Sequence, residues 1–227
     1  MVTVYNSWIR DTQCEAGRLS AVDVLTGETL VDAIVEPAHP VVNWRGKITG
    51  LSKETLQRAK DEGTHLRGWR GARWALWKHI NADTILVGHA LEYDMQILRM
   101  WHHNVIDTSI LTKTAMAPDL ARRWSLQKLS LSFLKEMIQD GSHCSTEDAQ
   151  AAAAIVKIIV SNPGLLELWA KDADRLARWG RASEARLRTR MQEALAAASC
   201  EVDGSGGGVQ PEVFKLPPET ASALESA

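Results

Sequence analysis

A short apolar strand followed directly by an amphipathic helix constrains the fold of this chain most. Residues 83–89, DTILVGH, contain the continuous apolar run that is typical of a strand buried on both faces. The helix after it places Leu91, Met95 and Leu98 at spacings of four and three, the pattern of one buried face. NVIDTSIL predicts a second strand of the same kind. Strands that alternate with helices indicate an α/β domain, a mixed sheet flanked by helices.

Other segments fit the same architecture. Residues 17–36 alternate apolar and polar residues around LTGET, which predicts a hairpin with Gly27 in its turn. Ser52 is placed to cap a short helix that ends at Gly63. The order of elements, strands first and then strands alternating with helices, predicts a three-layer α/β domain.

A second helix, expected over about residues 67–80, carries three tryptophans with arginines between them. Trp69, Trp74 and Trp77 can stack on bases in such a setting. Helical spacing favours the other interpretation, in which these rings pack in the core.

Composition excludes several classes of protein. The chain has 227 residues, 45% of them hydrophobic, and a net charge of −2, which indicates a soluble globular domain with extensions. It contains neither a run of ~20 apolar residues nor a signal peptide, so no membrane partner and an intracellular location, nuclear or cytoplasmic, are expected. Three scattered cysteines suggest neither a disulfide framework nor a zinc site. The near-neutral charge is compatible with a local groove that binds the end of one nucleic-acid strand.

The chain is expected to divide into three parts. Residues 1–161 form the α/β domain, residues 162–200 a long basic helix and residues 201–227 a flexible, glycine-containing tail. The arginines of the helix can contact phosphates, but a solvated face is favoured. They are Arg175, Arg178, Arg181, Arg186, Arg188 and Arg190.

Asp94 lies on the apolar face of its helix, three residues after Leu91 and four before Leu98. A carboxylate that faces a core is costly unless it is capped, paired or bound to a cation. One interpretation is a cap or an ion pair with an arginine. The other is a metal ligand, which requires further acids from elsewhere in the chain.

Asp148 is the second acid that meets a buried face. Ser145 and Asp148 match a capping box, so a structural role explains the acid on its own. Ala151, Ala152 and Ile155 continue its face, which directs the acid at the domain. Two helix-borne acids on one sheet, with His143 beside the second, are parts of a two-metal phosphodiesterase that prefers Mg²⁺ or Mn²⁺.

The chain resembles the RNA-exonuclease branch of the DEDDh exonucleases, particularly its fungal members. ILVGHALEYDMQIL, VIDTSIL, WSLQKLSLSFL and HCSTEDAQAAAAIV carry the resemblance, in that order, together with GETLVDAIVEPAHPVVNWRGKITGLS. It implies a ribonuclease-H-like fold and removal of nucleotides from the 3′ end of RNA or single-stranded DNA. Asp94 and Asp148 are then catalytic metal ligands, and His143 is the general base. Implied substrate contacts come from His89, Ala90, Leu91, Gly50 and Leu51.

One family motif is not found where the resemblance requires it. An Asp-x-Glu pair on the first strand supplies most metal ligands in the family, and none lies ahead of the hairpin. Asp11 and Glu15 are near, but Gln13 occupies the position where glutamate is required. The chain is therefore expected to begin just after this motif, with an incomplete two-metal site, impaired activity and a destabilised sheet.

Two other functions remain open. A ribonuclease-H-like scaffold can bind a nucleic-acid 3′ end or a protein without cutting. Alternatively, the protein has a structural role, in which the acids cap helices and residues 163–199 mediate assembly. The oligomeric state is not predicted.

Overall fold

The computed structural model describes residues 1–7 and 12–201. The strands in these ranges are β1 (Val2–Ser7), β2 (Thr12–Val22), β3 (Thr29–Glu36), β4 (Val41–Asn43), β5 (Leu66–Arg67), β6 (Leu86–Gly88) and β7 (Val105–Asp107). The helices are α1 (Gly46–Thr49), α2 (Lys53–Asp61), α3 (Gly68–Trp77), α4 (Leu91–Leu98), α5 (Thr108–Ala115), α6 (Leu126–Phe133), α7 (Ser145–Ser161) and α8 (Pro163–Glu201).

The strands form a five-stranded and a two-stranded sheet. The larger sheet has the order β4-β1-β2-β3-β5, antiparallel except for the parallel β3–β5 pair, and β6 and β7 pair in parallel. Helices α3, α4 and α7 pack against β2. The predicted α/β architecture, a mixed sheet flanked by helices, is confirmed.

The predicted hairpin is the pair β2–β3. Gly27 has φ +77°, a conformation that favours glycine, and its amide donates to the Asp23 carbonyl at 2.9 Å. Across the two strands, Arg18 donates two hydrogen bonds to the Asp32 carboxylate, at 2.8 and 2.5 Å. The short helix after Ser52 is also confirmed, because the Ser52 hydroxyl accepts the Thr55 amide.

The prediction that NVIDTSIL is a strand throughout is wrong beyond Asp107. Strand β7 ends there and α5 begins at Thr108. The cause is the Asp107 carboxylate, which accepts the Ser109 and Ile110 amides and so caps a helix.

The expected burial of the α3 tryptophans is wrong for two of the three. Trp74 and Trp77 are 61% and 50% exposed, whereas Ala72 and Ala75 are buried. Small residues form the inward face because α3 lies close to the sheet, so the large rings take the outward positions.

The core contains residues from α6, α7 and the first part of α8. Trp169 of α8 lies with its ring centroid 5.4 Å from those of Trp124 and Phe133. Residues up to Arg178 form one compact unit, and a second begins at Trp179, within α8. The three-part division remains a prediction, and the tail from residue 202 lies outside the described residues. The exposed arginines of α8 include Arg175, which pairs with Asp172.

A cavity of about 570 Å³ separates the two sheets. Its lining comes from the end of β2, from β6, and from one face each of α4 and α7, including Leu19, Val87, Asp94 and Ala153. In the part of the chain that the structure describes, no single helix has the length and hydropathy to cross a bilayer; α7 and the start of α8 pass that test only as a bent pair.

Candidate active site

Asp94 lies on the inward face of α4, as its position between Leu91 and Leu98 predicts. It lines the cavity between the sheets, and its Oδ2 is 3.5 Å from the Met1 ammonium group. Burial raises the pKa of Asp94, against the lowering effect of the ammonium, and the charges of Asp107 and Asp148 raise it further. The partner of Asp94 is therefore the Met1 ammonium group rather than the expected arginine.

The start of α4 is held by Asp107 of β7. The Ala90 and Leu91 amides donate to its two carboxylate oxygens, at 3.0 and 2.8 Å. Ala90 has φ +55°, a strained conformation for alanine that these bonds maintain. The amides of two residues expected to bind substrate are thus already used within the protein.

His89 is positioned by Thr108. The Thr108 hydroxyl donates to the Gly88 carbonyl at 3.1 Å, so the His89 Nδ1–H donates to that hydroxyl, at 2.9 Å. Burial lowers the pKa of His89, and the charges of Asp107 and Asp148 raise it by a smaller amount. The neutral imidazole therefore carries its free lone pair on Nε2.

Asp148 is not part of a capping box. Helix α7 begins at Ser145, and the hydroxyl of this residue is buried without a hydrogen-bond partner among the described residues. The Asp148 amide donates to the Cys144 carbonyl, while its Oδ1 accepts from Gln139 Nε2 at 2.7 Å. The helix-cap explanation of this acid is removed, and its carboxylate faces the loop that contains His143.

His143 lies beside Asp148 and against the loop after α1. Its Nδ1 is 4.0 Å from Asp148 Oδ2, and its amide donates to the Ile48 carbonyl at 2.5 Å. Gly50 has φ +66°, and a Cβ there would lie 3.3 Å from the Ser142 hydroxyl. The loop that contains Gly50 and the loop that contains His143, about ninety residues apart in sequence, are therefore in contact.

Leu51 differs from the other predicted substrate contacts. Its side chain is buried in a cluster with Val4, and its amide donates to the Thr49 hydroxyl at 3.1 Å. The loop after α1 therefore presents the Gly50 backbone toward the candidate site while Leu51 anchors that loop in the core.

The described residues do not fit a complete two-ion site. They contain no group of three or more His, Cys, Asp or Glu side chains arranged to hold a metal ion. Two hard divalent ions need several oxygen ligands, and Asp148 already accepts from Gln139. The present arrangement is one inward carboxylate, Asp94, and a second carboxylate, Asp148, that has His143 beside it.

Two residues that position this site were missed from the sequence. Asp107 appeared only as a residue inside a strand, although an Asp followed by Thr-Ser at a strand end is also a helix-cap signal. Gln139 has φ +61° and binds both Glu147, through its amide, and Asp148. No pattern in the sequence predicts the contacts of Gln139 with Glu147 and Asp148.

Comparison with known proteins identifies the family. The model of the family described as Exonuclease (RNase_T) matches residues 5–156. RNA exonuclease 3 of Candida albicans is 36% identical over 146 residues, which are 64% of this chain and 34% of that protein. RNA exonuclease 3 of Saccharomyces cerevisiae is 30% identical over 156 residues, 68% of this chain and 36% of that protein. The chain thus spans about a third of the length of these curated relatives.

Solved structures show the same fold. The Pan2 catalytic unit (protease and nuclease domain) of Neurospora crassa aligns with a TM-score of 0.60 at 24% identity, over 77% of this chain and 28% of that one. The Saccharomyces cerevisiae Pan2 pseudoubiquitin hydrolase-RNA exonuclease module in complex with AACCAA RNA aligns with a TM-score of 0.59 at 22% identity, with the same coverage. From the family match and this shared fold, the chain belongs to the DEDD-type exonuclease family and has the ribonuclease-H-like fold.

Proposed function

We propose that this chain acts on the 3′ end of single-stranded RNA, as a 3′–5′ exonuclease domain of its family. The observation that carries the proposal is the meeting of His143, Asp148 and the Gly50 loop, which come from three distant parts of the sequence. The relatives named RNA exonuclease 3 and the RNA-bound Pan2 module support RNA as the substrate.

In this proposal His143 is the general base. Its imidazole is 37% exposed and can accept a proton from an attacking water. Asp148, 4.0 Å away, orients the ring. The Gly50 backbone contacts the terminal nucleotide in this proposal. Single-stranded DNA is an alternative substrate of the same site.

We also propose that this chain hydrolyses RNA poorly. Members of this family generally use divalent metal ions. The described residues supply Asp94 and Asp148 but no third ligand beside them, and no Asp-x-Glu occurs in the 227 residues. Two carboxylates leave half of the charge of two divalent ions unbalanced, so Mg²⁺ or Mn²⁺ is expected to bind weakly.

The test is hydrolysis of a 5′-labelled single-stranded RNA with Mg²⁺ or Mn²⁺. The proteins are this chain, its Asp148→Asn variant, and a version extended at the N-terminus with a strand ending in Asp-Cys-Glu. Asp172→Asn is the control, because Asp172 pairs with Arg175 on the surface of α8. If only the extended protein produces a ladder of products shortened from the 3′ end, the result supports both the exonuclease activity and the impairment of this chain.

Other outcomes separate the two statements. If this chain cuts RNA and Asp148→Asn does not, the proposed impairment is wrong and the proposed activity stands. If the extended protein also produces no ladder, the exonuclease proposal fails for this chain. Equal cutting by the parent and Asp148→Asn would remove Asp148 from the site.

A non-catalytic binding module is the second candidate. The small number of metal-ligating side chains in the described residues favours it. It predicts that RNA binds with the same affinity to the parent and to Asp148→Asn, with no metal-dependent product from either protein or from the extended version.

A further inference from the structure

We propose that the outer face of α3 binds the body of a single-stranded RNA by stacking bases on tryptophan rings. The inference rests on the proposed function, because it concerns RNA whose 3′ end lies in the candidate site. The Trp–Arg face is defined here by Trp69, Trp74 and Trp77 with the cations that contact them.

The first support is the exposure of the rings. Trp74 and Trp77 are 61% and 50% exposed, three residues apart on one helix. Neighbouring exposed aromatic rings on one helix form an apolar patch of the kind that is found at interfaces. The inward face of α3 is completed by Ala72 and Ala75, so packing of the helix against the sheet does not require these rings.

The second support is the cation set around the rings. Arg70, Arg73 and Arg99 each lie with the guanidinium carbon 4.5 to 4.7 Å from the centre of the Trp69 ring. These cations and their aromatic partners form the combination that binds phosphates and bases of single strands.

The same pattern continues along the helix. Arg73 also lies 4.6 Å from the Trp77 ring, and Lys78 lies 3.9 Å from the Trp74 ring. From Gly63 to Ala82 the chain has four Lys or Arg residues and no Asp or Glu. This local positive charge, in a chain with a net charge of −2, complements a phosphate backbone.

The third support is a cleft that joins this face to α4. It has a volume of about 670 Å³ and is lined by Trp69, Arg99 and Tyr93, together with residues of β1 and β2. Tyr93 precedes Asp94, which lines the cavity on the other side of the same helix. The cleft therefore lies between the Trp–Arg face and the helix that carries Asp94.

Arg73 fixes the geometry of this region. One of its terminal nitrogens donates to the Arg99 carbonyl at 2.7 Å, at the end of α4. Arg99 has φ +50°, and its amide donates back to the last turn of that helix. The contact ties α3, which carries the Trp–Arg face, to the end of the helix that carries Asp94.

The test is fluorescence anisotropy of a 5′-labelled 12-nucleotide single-stranded RNA in EDTA, which prevents cleavage. Trp74→Ala/Trp77→Ala is compared with the parent, with Trp74→Phe/Trp77→Phe and with Trp179→Ala. Trp179 is 71% exposed on α8 and serves as the matched control. We expect the alanine pair to weaken binding at least tenfold, and the phenylalanine pair and the control to remain within threefold of the parent.

Several results would overturn this proposal. The first is that the parent does not bind RNA, and the second is that the alanine pair binds it with the same affinity as the parent. The third is that a 12-base-pair duplex binds as tightly as the single strand, with the same dependence on the tryptophans. Tighter tryptophan-dependent binding of an oligoglutamate peptide would assign the face to an acidic protein instead. If the thermal midpoint of the alanine pair differs from that of the parent by more than a few degrees, a second variant decides. It combines Trp74→Phe/Trp77→Phe with Arg70→Gln. Its binding of RNA must depend less on salt concentration than that of the parent.

The outcomes distinguish this proposal from the proposed function. If the extended protein makes the ladder while the alanine pair binds the 12-mer like the parent, the exonuclease activity stands and the Trp–Arg face is wrong. If the extended protein makes no ladder while the alanine pair loses binding, the face stands and the activity is wrong.

Discussion

Asp107 illustrates how one buried carboxylate positions a candidate site without being predicted as part of it. It accepts the amides of Ala90 and Leu91 at the start of α4, and the amide and hydroxyl of Ser109 in α5. Burial raises its pKa, but the hydrogen bonds from Ser109, Ala90 and Leu91 outweigh that effect, so the pKa lies below its usual range. The ionised form is therefore what holds α4 in place.

We expect Asp107→Asn to destabilise the protein by about 2–3 kcal/mol. Hydrogen bonds to charged groups contribute ~1.5–3 kcal/mol, and an amide offers one acceptor oxygen where the carboxylate offers two. The free energy of unfolding from urea titration measures the effect, with Asp172→Asn as the exposed control. An unchanged unfolding midpoint would show that α4 does not depend on this carboxylate.

Gly88 is required by the close approach of Leu91. A Cβ at residue 88 would lie 2.6 Å from Leu91 Cδ2, a distance that forces the side chain to move. We expect Gly88→Ala to cost about 1–3 kcal/mol of stability, the range for overpacked cores. Gly164→Ala is the control, because a Cβ there meets open space in α8. The prediction is contradicted if urea unfolding gives the same result for both variants.

At the scale of elements, the β2–β3 hairpin gives the protein a pH dependence. Hydrogen bonds from the Arg18 side chain, outweighing burial, lower the pKa of Asp32 below its usual value. A carboxyl whose folded pKa is lowered stabilises the fold above its unfolded pKa of ~3.9, and that stability is lost as pH falls through the folded value.

We therefore expect Asp32→Asn to lower stability near pH 6 by about 0.5–1 kcal/mol, because the pair is only partly buried. The variant should also lose less stability than the parent between pH 5 and pH 2. Urea unfolding at several pH values measures both effects. A constant difference between the two proteins across this range would contradict the assignment to Asp32.

The elements also show what the sequence can and cannot predict. The Gly27 turn, the Ser52 cap and the α4 stripe depend on local patterns, so the sequence predicted them. The end of β7 was missed, because Asp107 satisfies amides nearly twenty residues away as well as those of its own helix. Helical spacing gave the wrong burial for Trp74, because the inward face of α3 is chosen by its distance from the sheet.

The candidate site was predicted only in part for the same reason. The spacing of Asp94 on its helix indicated an inward carboxylate, and the structure confirms that position. The capping-box pattern at Ser145 was misleading, and the Gln139–Asp148 bond depends on a left-handed residue in a loop. The functional roles of Asp94, Asp148 and His143 stay predictions that the hydrolysis experiment addresses.

At the scale of the whole molecule, the first compact unit includes part of α8. Trp169 packs against Trp124 and Phe133, and Ala173 is buried beside Met116 and Leu120. The predicted domain end at residue 161 leaves these residues outside the domain. The unit that ends at Arg178 includes them.

Two shortened chains test the predicted boundary. A chain that ends at residue 178 is expected to unfold at the same temperature as the parent. A chain that ends at residue 161 is expected to lose about 3–5 kcal/mol or more, since it removes a packed tryptophan. Thermal and urea unfolding measure both, with Trp169→Ala as the point-variant control. Equal stability of the two shortened chains would support a domain of residues 1–161.

The shared carboxylate of Asp107 has a consequence for local motion. The amides of Ala90, Leu91 and Ser109 all end on it, although they start two different helices. Release of that carboxylate exposes all three hydrogens to exchange with deuterium in one event. Their exchange rates should therefore give one opening free energy, so the strand end and the helix that carries Asp94 fluctuate as a single unit.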